Sequence, residues 1–447
     1  MSSRLDPMPN AAVDALGHGK PVVCFDKATG IADFLKGSGL GDGCVARYLD
    51  TADMAEKIRT LAGSKSLRDE VGEKGREASI AYFNMADYVT RLDSLARRAV
   101  DRSRREEQDV ELILGSGLFR PDFGTPSGLD PLSLEAAVRL HVRSWASGIY
   151  RRKPFPGFHP GVYLEQHGVA VAGADPTADF IRAGTPDGPW NCTVISGGVG
   201  DVRDLPPNHS VALHLHVFYP DLLPDIMSRL SRNRCRPDLF VSVVSDEARD
   251  LVARHLESYE GKVAALEVVP NRGRDIGPFL TQFGRRVLSE YAYVGHLHTK
   301  KTEALNVAVG KRWFEFLMAN LLGGSSCAMA DAVLASMNAD RSLGIVFPDD
   351  PNVPGWDTNK RFAEELAPKI GIEELPQHFN FPVGTMFWAR TCALSPLIDL
   401  NLQWDDYPLE PLPNDGTVLH AIERLFPLTV HLGTLRAAVT HVTGVTR

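Results

Sequence analysis

The chain has 447 residues, 44% of them hydrophobic and 23% charged, with a formal net charge of -8. That is length for two or three globular domains, and too acidic a balance for a nucleic-acid partner, which needs a basic face or stripe. The six cysteines (Cys24, Cys44, Cys192, Cys235, Cys327, Cys392) are scattered and never spaced as CxxC, which excludes a disulfide framework and fits reduced thiols in the cytoplasm. No apolar run approaches the roughly 18 residues that span a bilayer, and the start MSSRLDPMPN lacks a signal-peptide core. A cytoplasmic protein is expected, with at most peripheral contact at the inner face of the membrane.

The first hundred residues predict a helix in NAAVDALGHG, a strand in KPVVCF, and helices in TADMAEKIRTLAG, SLRDEVGEKGREASIAYF and MADYVTRLDSLARRAV, with apolar positions at helical spacing. The strand is short of partners, so residues 1–104 form part of a sheet-containing unit. The charged run DRSRREEQDVE and the Gly/Pro-rich GSGLFRPDFGTPSGLDP predict a linker over 105–130. Residues 131–205 open on the amphipathic helix SLEAAVRLHVRSWASGIY and continue in short Pro- and Gly-punctuated elements, a small, mainly helical segment. Over 206–447 strands alternate with helices: SVALHLHVFY, LPDIMSRLSRN, DLFVSVVS, DEARDLVARHLESY, VAALEVVP, a helix from Pro278, YAYVGHLHT, GKRWFEFLMANLL and SLGIVFP. That alternation predicts an α/β fold with a mostly parallel sheet flanked by helices.

In VGHLHTKKTEAL, strand alternation puts His296 and His298 on one face, while Thr299, Lys300 and Lys301 enter the loop at the strand's carboxyl end. Open α/β sheets place ligands at that edge. Three readings stand: the lysines meet a phosphate directly, the histidines hold a cation such as zinc, or the histidines are satisfied within the fold. VALHLHVFY repeats the spacing at His214 and His216; packing and hydrogen bonding between adjacent strands account for this more simply than a four-histidine metal site. In PNRGRDIGPF, Gly273 and Gly277 permit unusual backbone angles, Pro278 suits a first helical turn, and the helix amino end attracts an anion beside Arg272 and Arg274. Asp275 either binds a sugar or ribose hydroxyl or caps the helix.

Two resemblances rest on these stretches. RLDPMPNAAVDALGHGKPVVCFD is similar to the donor-binding half of retaining family 4 glycosyltransferases of GT-B fold, with Asp6 and Asp14 at the positions of that motif's two Glu; this implies a partial Rossmann-like segment. VALHLHVFYPDLL, NRGRDIGPFL, GHLHTKKT, VGTMFWAR and PNDGTVLHAIERL, in that order, resemble the rhamnan synthesis protein F family of bacterial polysaccharide assembly. The second resemblance implies a GT-A-like domain and a glycosyltransferase that carries a sugar from a nucleotide-sugar donor to a saccharide or lipid-linked saccharide acceptor. A noncatalytic carbohydrate-binding or assembly module is the alternative.

On that resemblance Lys300 and Lys301 neutralise the leaving diphosphate with no metal or other cofactor, and Tyr219 stacks on the base. Asn271, Arg272, Arg274, Asp275, His296, His298 and Thr299 surround the donor. Asp415, in LPNDGTVL, is the candidate general base, with Glu410 and Asp406 as weaker substitutes; Asn414-Asp415-Gly416 is also an ordinary turn before a helix. Trp388 or Trp404 offers the acceptor sugar an aromatic face or belongs to the core. Glu423 and Arg424, inside the helix, are expected to pair with neighbours or with the loop.

Overall fold

The computed structural model describes residues 7–126, 132–169, 173–197, 205–301, 307–325 and 327–446. The chain divides into two compact units, Met1–Ser103 and Arg104–Arg447. Among the described residues no helix is long and apolar enough to cross a membrane.

In the first unit, helices Asn10–Gly17, Gly30–Gly37, Thr51–Gly63 and Lys65–Tyr82 bury Leu16, Ile31, Leu35, Leu61 and Val71 around a parallel pair of two-residue strands, β1 (Cys24–Phe25) and β2 (Val45–Ala46). Asp50 starts the third helix by accepting the amides of Ala52 and Asp53, the usual N-cap arrangement. The predicted strand KPVVCF thus shrinks to Cys24 and Phe25, because it has a single short partner. Asp14 is exposed on the first helix, and Asp6 lies outside the described residues.

The expected linker is largely helical. Helix Met85–Ser116 runs through DRSRREEQDVE, and Val110 and Ile113 are buried with Val138 and Val142 of helix Leu134–Ser147. Apolar residues three apart on a charged run give one buried stripe, while Glu106 and Glu107 pair with Arg139 and Arg143 across the two helices.

Among the described residues the second unit is built on eight strands: β3 (Thr193–Ser196), β4 (Val211–His216), β5 (Asp238–Val243), β6 (Val263–Val268), β7 (Tyr293–His298), β8 (Leu343–Pro348), β9 (Phe387–Arg390) and β10 (Arg436–His441). Their order is β3-β10-β8-β9-β7-β4-β5-β6. All pairs are parallel except those of β9, which runs antiparallel to β7 and β8. β4, β5, β7 and β8 are buried along their whole length, as strands covered by helices on both faces must be. The segment 131–205, expected to be helical, also supplies β3, which pairs with β10 at the sheet edge.

Two cores cover the sheet. One holds Ala212, Phe240, Phe279, Phe283, Val294 and Phe387; the other holds Leu213, Leu215, Leu297, Leu317, Val346 and Trp388. Alternation along β4 and β7 puts His214, His216, His296 and His298 on the first of these faces.

Candidate functional site

The chain passes outward from β4 to β5 and β6, then returns so that β7 lies on the opposite side of β4. Such a reversal leaves a crevice outside the carboxyl ends of the two strands. β4 and β7 are in register, His214 opposite His296 and His216 opposite His298. Past their ends the Thr299 amide donates to the His216 carbonyl (3.0 Å), and the Tyr219 amide to Thr299 Oγ1 (2.8 Å). A cavity of about 890 Å³ opens there, with His216, His298, Lys300, Lys301, Arg274, Asp275 and Asp415 among its walls.

The cationic wall comes from two loops. Lys300 Nζ lies 3.9 Å over the Trp313 ring; Lys301 pairs with Asp221 (2.7 Å) and lies 5.0 Å from the Tyr219 ring. Arg274, at a left-handed φ of 50°, donates to the carbonyls of Leu412 and Pro413 and sits 3.5 Å from Glu410. Asn271, Tyr219, Thr299 and Glu410 complete this side of the cavity.

Helix Val418–Thr429 and the turn before it also line the cavity. Burial pushes the Asp415 carboxyl up, but Asn359 Nδ2 (2.7 Å) and Thr358 Oγ1 (3.2 Å), with Arg424 nearby, hold it below its ordinary value. A carboxylate so engaged is a weak base, which argues against the role predicted for Asp415. Glu423 is the converse case: burial pushes its carboxyl up despite Lys300 and Arg424. Its Oε1 accepts the amides of Gly384 (2.6 Å) and Thr385 (3.1 Å). Burial lowers His420, helped by Arg274.

Three of the four histidines, His216, His214 and His296, form one hydrogen-bonded set that begins at the cavity wall. His216 Nδ1 is 2.9 Å from Ser242 Oγ, which is 3.0 Å from His214 Nε2. His214 Nδ1 is 2.9 Å from His296 Nδ1, and His296 Nε2 is 3.2 Å from Asp275 Oδ2. Burial pushes the Asp275 carboxyl up, yet the imidazoles of His298, His296 and His216 bring it well below the carboxylate range. Burial lowers His216 to about 3 and lowers His214 and His298 as well. His298 Nε2 donates to the Gly384 carbonyl at 2.8 Å. Among the described residues no three or more His, Cys, Asp or Glu side chains are grouped to hold a metal ion.

Four predicted contacts fall elsewhere. Arg272 turns away to Asp405 and the Tyr407 carbonyl, because Gly273 and Arg274 both take positive φ and reverse the chain between the two arginines. His296 is fully buried beneath the cavity and meets Asp275 instead of a ligand. Trp388 is fully buried on the other face of the sheet, its Nε1 donating to the Leu321 carbonyl (3.0 Å); Gly295 opposite it leaves room for the indole. Trp404 packs near Gly277, outside the cavity walls. The predicted helix is present, running from Ile276 through a π-helical stretch, Pro278–Phe283, into Gly284–Glu290, but the Asp275 carboxylate stands directly before its amino end. Asp406 is occupied with the Gln403 amide. Conversely, His216, His420 and Glu423 line the cavity without having been picked out as ligands. The HxH spacing shared by β4 and β7 was the signal for His216.

Fold and site together define an α/β protein with a partly cationic cavity at the reversal point of its sheet. The family model for rhamnan synthesis protein F matches residues 196–431, just over half of the chain, and the chain belongs to that family. It is also similar to two proteins of Xanthomonas campestris pv. campestris, from strain B100 and a second strain, each named "Uncharacterized protein WxcX". Each is 30% identical over 242 residues, covering 53% of this chain and 34% of the relative. The chain therefore spans about a third of the length of these curated relatives.

Proposed function

We propose that the chain is a glycosyltransferase of bacterial cell-surface polysaccharide synthesis, moving a sugar from a nucleotide-sugar donor to a saccharide or lipid-linked saccharide acceptor. The observation that carries this reading is the gathering of Lys300, Lys301 and Arg274 around one cavity at the sheet reversal. Membership of the rhamnan synthesis protein F family supports it. A strand order with one antiparallel member next to the reversal also suits a GT-A-like domain.

As the sugar departs, negative charge grows on the diphosphate, and fixed cations stabilise that charge more in the transition state than in the bound donor. Lys300 and Lys301 fill that role, and Tyr219 offers a ring face to the base. In this reading Asp275 and Asn271, both in the cavity wall, take donor hydroxyls, and Asp415 takes a hydroxyl of the acceptor. We place the reaction in the cytoplasm, at the membrane face if the acceptor is lipid-linked.

Calorimetry with a panel of nucleotide sugars tests this. A donor should bind, and Lys300→Ala should weaken it by on the order of 100-fold, the loss of one charge-assisted contact of about 2–3 kcal/mol. Failure of every nucleotide sugar to bind overturns the proposal; binding without turnover selects the noncatalytic module.

A further inference from the structure

The arginine that turns away from the cavity holds a segment that does reach it. Arg272 Nε donates to the Tyr407 carbonyl (2.6 Å), and its terminal nitrogens donate to the Asp405 carbonyl (3.0 Å) and the Asp405 carboxylate. That carboxylate is almost fully exposed and adds little, so the two carbonyls define the contact. A backbone bridge between Arg272 and Leu409 extends it. Arg274 grips the same segment further along, donating to the carbonyls of Leu412 and Pro413 and pairing with Glu410. Glu410 in turn accepts the Leu412 amide (2.8 Å).

The turn between the two arginines makes this grip possible. With φ at 76° for Gly273 and 50° for Arg274, the two side chains leave the backbone toward different points on the segment. A Cβ on Gly273 would stand 2.9 Å from the Gly277 Cα and 3.0 Å from the Tyr407 ring, and one on Gly277 would stand 2.8 Å from the Arg272 carbonyl. Only glycines let the chains lie so close. Tyr407 is fully buried against this turn, its hydroxyl 2.9 Å from Thr281 Oγ1.

We propose that Arg272 and Arg274 clamp residues 405–413, and that Arg272 is a positioning residue for the acceptor. The inference rests on the transferase reading for what the clamped segment meets. Glu410, Pro411, Asn414 and Asp415 line the cavity and Arg272 does not, so any effect of Arg272 on a bound saccharide passes through the segment it holds. Beyond the clamp, Asn359 fixes the chain again, donating to Asp415 and accepting the Gly416 amide (3.0 Å). The wall is thus tied before, within and after its cavity-lining stretch. The ties at Arg272 depend on shape more than charge: a planar guanidinium reaches two carbonyls at once, and an ammonium of equal charge does not.

The test uses the full chain and Arg272→Lys, which keeps the charge and loses the fork. The acceptor probe is a fluorescently tagged rhamnose disaccharide, and the donor is the nucleotide sugar that binds in calorimetry. Acceptor KM should rise about tenfold while the donor Kd stays within about twofold, because a displaced wall loses its fit to one substrate only. An unchanged acceptor KM, or an equal loss of donor affinity, overturns the positioning role. If no nucleotide sugar binds, the transferase reading falls alone. Hydrogen exchange then decides the clamp, and does so equally if the disaccharide is not taken. The peptide over 405–413, which contains the bonded Leu412 amide, should exchange faster in Arg272→Lys while β4 and β7 keep their protection; unaltered exchange there sinks the clamp.

Discussion

Two strand ends of the same sheet use similar residues to opposite effect. After β8, Asp349 is buried and met by Lys153 Nζ at 2.5 Å and by the Gly157 amide at 2.7 Å, while the Lys153 amide donates to the Pro351 carbonyl. Arg152 reinforces the plug by donating to Phe123 and Asn352. After β4 and β7, Asp275, Lys300 and Arg274 instead line an open cavity. Charge at a strand end is therefore not in itself a sign of a site. What matters is whether a neighbouring segment of the chain has closed over it.

The sharpest way to break this comparison is Lys153→Met, which leaves Asp349 buried without its counter-charge. Removing one partner of such a pair costs about 3–5 kcal/mol; urea denaturation should show that loss, with donor affinity unaltered. An equal loss of affinity would mean the sealed end also serves the cavity.

Acid should act on both regions. His141, in the helical segment, and His216, at the cavity, are each lowered by burial to about 3. Their folded values lie below the ordinary 6.5, so the unfolded chain binds more protons across that window and stability falls as pH drops through it. Each ring should cost about 2 kcal/mol by pH 5, at about 1.4 kcal/mol per pH unit. Denaturation of the natural chain and of His216→Gln at about pH 7, 6 and 5 isolates that ring from Asp175, whose carboxyl burial raises to about 7 and which acts in the opposite sense; the same slope in the variant would mean the ring is protonated in the folded state.

The smallest effect concerns Trp388. Replacing it with Phe removes the bond to Leu321 and some volume, for about 1–3 kcal/mol, and should leave donor and acceptor kinetics unchanged. A raised acceptor KM would return Trp388 to the site.

The strands that build the reversal were legible because β4, β5, β7 and β8 are largely apolar stretches between helical ones, and paired HxH spacings mark the two inner ones. The antiparallel course of β9 and the place of β10 were not, since both depend on distant partners. Lys300, Lys301, Arg274 and Asp415 were found as a group because they follow strand ends or precede a helix. Arg272 was misplaced because a reversal at Gly273 and Arg274 separates neighbours that look alike in sequence. The helix through residue 116 was missed because its buried stripe is narrow and its charges resemble those of a solvated tether.

Gly384 and Thr385 stand side by side at φ 85° and 56°, and their amides converge on the Glu423 carboxylate. Consecutive amides in that shape make a concave seat for an anion, and here the protein has already seated one of its own. A phosphate entering the cavity therefore finds that backbone seat taken and must rely on ammonium and guanidinium groups. Attachments of that kind count charges more than they measure shape, and they loosen as ionic strength rises and the Debye length contracts from about 10 Å at 0.1 M salt.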